Sequence, residues 1–201
     1  MNLRIGVLSC AFLALSTGAF SSTLINGDFE TGDFNGWLLT GNVDFGRLEG
    51  VCASGSPFGD TVCTPHSGQY AAAVGPFEPG VHLSQDFATT PGSLYNLTFF
   101  LRNHNGGQSP ENRFIITFDG TVVYSNSNAS DFGYTEFSFQ NLLASSENTR
   151  LDFDIENTPG GFFIDDVSVD AVPEPGSVLL VSTALGALGL IRRKRKSGGP
   201  V

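Results

Sequence analysis

Between residues 23 and 171 the chain has no lysine, and its only cations there are Arg47, Arg102, Arg113 and Arg150. Nineteen of the twenty acids lie in the same stretch, so this body carries a formal charge of 4 minus 19, or −15. A surface of that sign disfavours nucleic acid and anionic lipid as ligands; it suits solubility, divalent cations and neutral partners. Histidine is scarce: His66, His82 and His104 are scattered, without metal-ligand spacing. No Gly-x-Ser-x-Gly elbow, His-Glu-x-x-His pair, phosphate loop or dinucleotide fingerprint occurs, which argues against catalysis unless distant residues assemble a site in space. Long apolar runs are missing from the body and confined to the two extremities.

At the N-terminus, Arg4 is followed by a mostly apolar stretch, Ile5 to Leu15, and then by small-residue sites, Thr17-Gly18-Ala19 or Ala19-Phe20-Ser21. That order predicts a secretory signal peptide over residues 1–22. Cys10 invites a lipoprotein reading, but Val7-Leu8-Ser9 ahead of it fits a lipid-attachment box poorly.

The other extremity holds Pro173-Glu174-Pro175, an uncharged run from Val178 to Ile191, and five consecutive cations, Arg192, Arg193, Lys194, Arg195 and Lys196. The run is shorter than the about 20 residues a spanning helix needs, although flanking Arg and Lys can snorkel. The cations are expected to stay on the cytoplasmic side, and the prolines to break any helix on the other. In order and kind, residues 172–196 resemble the PEP-CTERM sorting signal of Gram-negative bacteria, with residues 197–201 a short extension beyond it. The resemblance implies export, recognition by a membrane-embedded exosortase, cutting near the triplet, transient anchoring in the inner membrane, and delivery to the cell surface or its exopolysaccharide. A permanent C-terminal anchor is the alternative.

Removing both ends leaves one domain of about 150 residues, 23–171, large enough for a core of its own. It retains two cysteines, Cys52 and Cys63, in a segment rich in Gly, Ser, Pro and Asp. An exported compartment permits their oxidation, so one disulfide is expected; zinc would need further ligands, and only His66 is near in sequence. Period-2 alternation recurs through the body and no long stretch has a helical period. It is clearest in Leu151-Asp152-Phe153-Asp154-Ile155-Glu156, with three apolar side chains on one face and three carboxylates on the other. Asp119-Gly120, between 113–118 and 121–125, marks a two-residue hairpin turn. Strands are also expected at 69–74, 81–87, 94–102, 134–139 and 162–169, about eight or nine in all. Such a count without helices predicts an all-β, two-sheet antiparallel sandwich, with most of the 18 Phe filling the layer between its sheets.

Three motifs narrow the class. Leu24-Ile25-Asn26-Gly27-Asp28-Phe29-Glu30-Thr31-Gly32 followed by Trp37, Ser67-Gly68-Gln69-Tyr70-Ala71, and Phe162-Phe163-Ile164-Asp165-Asp166-Val167-Ser168-Val169 together resemble the galactose-binding-like jelly roll of xylanase-associated carbohydrate-binding modules. The resemblance implies a structural calcium (Ca2+) where the first and last strands meet, held by Glu30 and Asp165, with Asp28 and Asp166 as second-choice ligands. The alternative is that these acids cap turns. Sugar recognition stacks pyranose faces on aromatic rings; the ring candidates are Trp37, Tyr70, Tyr95, Tyr124 and Tyr134, with Trp37 expected in the core. The polar stretches 46–67 and 103–112 are expected to be long loops, of a length that often carries function. The 152–156 strand also resembles the acidic strand of laminarinase-type glycoside hydrolases, with Asp152 in place of the usual Glu nucleophile and without the flanking aromatic subsites.

Three readings follow from the sequence. One is a non-catalytic surface or matrix protein associated with exopolysaccharide or biofilm; the others are a calcium-stabilised module for a neutral polysaccharide and, more remotely, a glycosidase.

Overall fold

In β11 (Asn148–Thr158) the side chains of Leu151, Phe153 and Ile155 are fully buried, whereas Asp152, Asp154 and Glu156 lie on the opposite, wetter face. The alternation read from the sequence is therefore the alternation of a strand with one face on the core. The computed structural model describes residues 23–41, 49–58, 61–75, 80–104, 111–158 and 160–173. The expected signal peptide, Glu174 and Pro175 of the triplet, the apolar run, the basic cluster and residues 197–201 lie outside the described residues; Pro173 is the last of them.

Twelve strands and no helix occur among the described residues. In chain order they are β1 (Leu38–Gly41), β2 (Glu49–Ala53), β3 (Pro57–Phe58), β4 (Thr61–Val62), β5 (Tyr70–Val74), β6 (Val81–Ala88), β7 (Leu94–His104), β8 (Glu111–Phe118), β9 (Thr121–Ser127), β10 (Phe132–Leu143), β11, and β12 (Gly161–Ala171). One antiparallel sheet has the order β1-β6-β11-β8-β9, the other β10-β7-β12-β5-β2, and β3-β4 form a separate hairpin. This is a jelly-roll sandwich, in agreement with the sequence-based expectation.

The layer between the sheets is aromatic. Phe153 lies 5.3 Å from Phe99, 5.8 Å from Phe114 and 6.1 Å from Trp37, joining β11, β7, β8 and the N-terminal segment in one core. Trp37 is 7% exposed and donates its indole N–H to the Asn26 carbonyl, which satisfies the polar end of a buried ring. β8 and β9 turn at Asp119 and Gly120, with φ of 51° and 75°, the double left-handed conformation that the Asp-Gly pair favours.

Two expectations need correction. The 46–67 stretch is not one long loop: it contains β2, β3 and β4, and the Cys52–Cys63 disulfide ties them together. Their alternation is too short to stand out against the Gly, Pro and Ser around them. Likewise, residues 23–37 form turns rather than a regular first strand. The segment still lies along β12, because Thr23 N–H donates to the Val169 carbonyl and Val167 N–H donates to the Gly27 carbonyl. A Cβ on Gly27 would overlap that Val167 carbonyl, so this close approach requires glycine.

Candidate functional site

Three of the sequence motifs converge on one turn, residues 66–70, at the outer side of β12. Its amides are shared between two carboxylates. His66 and Ser67 N–H donate to Asp165 Oδ2 at 2.8 and 3.2 Å, while Gln69 and Tyr70 N–H donate to Glu30 Oε1 at 2.8 and 2.9 Å. Gly68, between them, has φ +58°, and a Cβ there would overlap the Glu30 carboxylate. Glycine takes that φ without strain, and a Cβ there would have to push the Glu30 carboxylate away from the Gln69 and Tyr70 amides.

The Asp-Asp pair sits on a bulge. The β12–β7 register slips between Asp165 and Ser168, and Asp166 takes φ 50°, a conformation open to Asp because its short side chain bonds locally. Asp166 N–H donates to Asp165 Oδ1 at 2.8 Å, and the Asp166 side chain turns to the loop. There Asp166 Oδ1 accepts from Ser67 Oγ at 2.7 Å, and Oδ2 lies 2.6 Å from His66 Nδ1. Asp165 has no solvent exposure. Burial, and secondarily the Asp166 charge, push its pKa up to about 6, against the three amides that hold it down.

Asp28 stands apart from this exchange. Its Oδ1 accepts from Glu30 N–H at 3.4 Å, and it lines, with Asn26, Asp166 and Ser168, an open cavity of about 360 Å³ beside β12. Among the described residues no three His, Cys, Asp or Glu side chains are grouped to hold a metal. The donor chemistry here, carboxylate oxygen, is nonetheless that of calcium, which takes six to eight oxygens. Glu30 and Asp165 would hold such an ion only together with main-chain or water oxygens.

An aromatic patch flanks the turn. The His66 ring stacks on Phe100 with centroids 3.5 Å apart and meets Tyr134 edge-on at 5.4 Å. Burial raises the Tyr134 pKa above its ordinary value, with the Asp165 charge adding to it. Arg102 lies over the Phe163 ring at 4.8 Å and donates to Thr61 Oγ1 and Thr64 Oγ1 at 3.2 and 3.3 Å. Phe58 covers the same ring at 5.2 Å. The β3–β4 hairpin and the disulfide thus form a flap over the outer face of β12 and β7.

The chain's single Trp and four Tyr are all described, and none is an open platform. Trp37 and Tyr95 are buried; Tyr70, Tyr124 and Tyr134 are half-buried. Tyr70 packs beside Gly32, and Tyr124 meets Phe137 at 5.3 Å while accepting from Asn126 Nδ2. The acidic face of β11 is internally paired: Asp152 lies 2.9 Å from His82 Nδ1, and Arg113 reaches Asp154 at 3.0 Å and Glu156 at 3.8 Å.

Sequence reasoning passed over the buried amides. Asn157 donates to Asn103 Oδ1 at 2.8 Å, and Asn103 and Asn112 both donate to the Ala129 carbonyl. Gln85 brackets Ile25, accepting its N–H and donating to its carbonyl. The one available signal was amide side chains at strand ends, which sequence alone does not separate from wet loop residues.

Residues 171–196 match the PEP-CTERM protein-sorting motif. The chain carries that sorting motif. Its match begins at Ala171, the last residue of β12, so the motif abuts the folded body with no intervening linker. No curated protein matches the chain. Among solved structures, the carbohydrate-binding module TmCBM61, in complex with beta-1,4-galactotriose, superposes with TM-score 0.56 at 17% identity, covering 76% of this chain and 99% of that one. The CBM22-1 xylan-binding domain from Paenibacillus barcinonensis Xyn10C gives 0.51 at 13% identity, over 80% and 100%. The enzymatically active domain of tailspike protein 4 from Bacteriophage CBA120 gives 0.52 at 15% identity, over 75% of this chain and 21% of that one. These similarities establish a carbohydrate-binding-module type of jelly roll as the fold.

Proposed function

We propose that this is an exported surface protein: an exosortase removes its tail near Pro173-Glu174-Pro175, and its body serves a non-catalytic role in the exopolysaccharide or matrix. The observation that carries the reading is the sorting motif joined directly to the end of β12. A signal peptide, an oxidised cysteine pair and a lysine-free acidic body all suit a protein that works outside the cell. The pairing of the β11 carboxylates with His82 and Arg113 gives them a structural role and supports the non-catalytic reading. Mass spectrometry of the protein isolated from host cells tests it. Loss of the residues after the triplet is expected, with full-length protein retained in cells lacking the exosortase; an intact tail on the mature surface protein refutes it.

A calcium-stabilised module for a neutral polysaccharide is the second reading, favoured by the jelly-roll fold and by two carboxylates meeting at the 66–70 turn. Glu30 and Asp165 are then the ligand side chains, with Asp28 and Asp166 nearby. The half-buried tyrosines weigh against stacking as its means of holding sugar. Co-sedimentation of the body with the host's own exopolysaccharide separates the two: retention selects the module, and none selects the structural role. An unchanged melting temperature after EDTA treatment removes calcium from either account.

A further inference from the structure

The chain enters and leaves the sandwich at one end. β12 finishes at Ala171, and Val172 N–H still donates to the Leu94 carbonyl at 2.8 Å. Thr23, the first described residue, donates both its N–H and its hydroxyl to the Val169 carbonyl, at 3.0 and 3.1 Å. From Thr23 to Gly27 the chain runs antiparallel to β12, bonded at Val169 and then at Val167. It therefore comes in from the end at which β12 goes out. Both hydrophobic extremities of the sequence are attached at this pole.

The tethers are short. From Val172 to Val178, where the uncharged run starts, there are six residues, at most about 20 Å of extended chain. The headgroup layer alone accounts for roughly 5 to 8 Å of that reach. While the tail is in the membrane, then, the pole stays within about 15 Å of the lipid headgroups, whatever path the tether takes.

The surface of the pole differs from the rest of the body. Leu94 and Leu143 are register partners on adjacent strands, 37% and 57% exposed; Leu94 adjoins the point where Val172 leaves, and Leu143 lies one strand beyond it. The neighbouring segments 88–94 and 141–147 contain one acid, Glu147, and no cation. Asp119, at the adjoining turn, is engaged by Ser145 N–H at 2.7 Å. A body of charge −15 thus presents an exposed leucine pair, with Asp119, Glu147 and Asp170 as the nearby acids, at the place where it is tied to a bilayer.

The geometry points to a membrane-facing pole: while the chain is anchored, the end of the sandwich around Leu94 and Leu143 rests on the lipid surface, with those two side chains as its contacts. This rests on the tail being an anchor, as the sorting reading requires. Two leucines do not hold a strongly acidic body on a membrane by themselves; the tether supplies the proximity, and the contact ends when the tail is cut.

The test uses the full chain reconstituted into phosphatidylcholine vesicles, with flotation to establish anchoring. Leu143→Trp and Leu94→Trp report on the pole, and Ser130→Trp reports on the opposite end, between β9 and β10. Quenching by brominated phosphatidylcholine is compared with the wild-type background from buried Trp37. Several-fold stronger quenching at 143 and 94 than at 130 is expected, disappearing for the body truncated after Pro173. Equal quenching at the two ends of floated protein overturns the membrane-facing pole and leaves the anchor standing. A full-length chain that fails to float overturns the anchored reading and this inference with it.

Discussion

Asp165 offers the sharpest test of how the 66–70 turn is held. Its carboxyl is completely buried, and its pKa stands at about 6 against an ordinary 3.8. The gap of about two units corresponds to about 3 kcal/mol. The native state binds this proton more tightly than the unfolded chain does. Its contribution to stability is therefore fully present below about pH 4 and is lost as pH rises through about 6. Asp33 and Asp86 act in the opposite sense: hydrogen bonds from Thr31 and Arg150, respectively, hold their carboxyls below the ordinary value, so what they contribute is lost as pH falls.

Subtracting Asp165→Asn from the wild type cancels those two groups. The variant also loses an acceptor, since the amide puts an NH2, which cannot accept, where even the protonated carboxyl keeps a hydroxyl oxygen toward the amides of His66, Ser67 and Asp166. That cost, about 1 to 3 kcal/mol, does not vary with pH. Urea denaturation in EDTA between about pH 4 and 7 should show the wild-type advantage shrinking by about 3 kcal/mol across the range. A difference that stays flat refutes the buried, charge-destabilised carboxylate. Calcium added at neutral pH should restore the advantage if the ion is held there, because a cation beside Asp165 favours its ionised form.

Three further outcomes follow from packing and covalent structure. Replacing Cys52 and Cys63 together by Ala opens a loop with a sequence separation of 11; about 2 to 3 kcal/mol should be lost in denaturant titration, on the chain-entropy account. Gly68→Ala must place a methyl group against the Glu30 carboxylate at positive φ, so a loss above about 1 kcal/mol is expected, whereas Gly55→Ala, with positive φ but open space around it, should cost less. Phe153→Ala removes the ring that joins Phe99, Phe114 and Trp37 and should cost about 3 to 5 kcal/mol by thermal or urea unfolding, against a few tenths for exposed Leu143→Ala.

The long alternating segments were legible because burial of one face leaves a direct imprint on sequence. Residues 151–156 were recognised by that alternation and 94–102 by a more uniformly apolar run suited to a central strand, neither depending on a partner. The small strands at 57–58 and 61–62 were not legible, since two residues carry no period and their order comes from a disulfide and from Phe58 covering Phe163. The same limit applies to the site. Its motifs, around Glu30, Gly68 and Asp165, could be named from the chain, but the way one turn divides its amides between two acids depends on a bulge that places Asp166 at positive φ. Tyr70, Tyr124 and Tyr134 were candidates by residue type alone; their half-burial is set by neighbours distant in sequence.

β12 connects the fold to the sorting tail in time as well as in space. It is central in its sheet, paired with β7 along most of its length and with β5 at its start, and it receives the N-terminal segment through Val167 and Val169. Phe162, Ile164, Val167 and Val169 are all in the core. Without β12 the sheet is split and the core is open on one side, so the sandwich cannot close until residue 171 is available. Seven residues later, at Val178, the uncharged run begins. A chain exported from its N-terminus can thus complete its body only as the tail reaches the membrane. Long-range pairing of this kind folds slowly, because the whole intervening loop must be ordered first. On the sorting reading proposed above, placing the last core strand against the motif would hold a single molecule at the surface while that closure takes place, and the cut would act on a chain whose final ladder bond, from Val172 to Leu94, is one residue from the triplet.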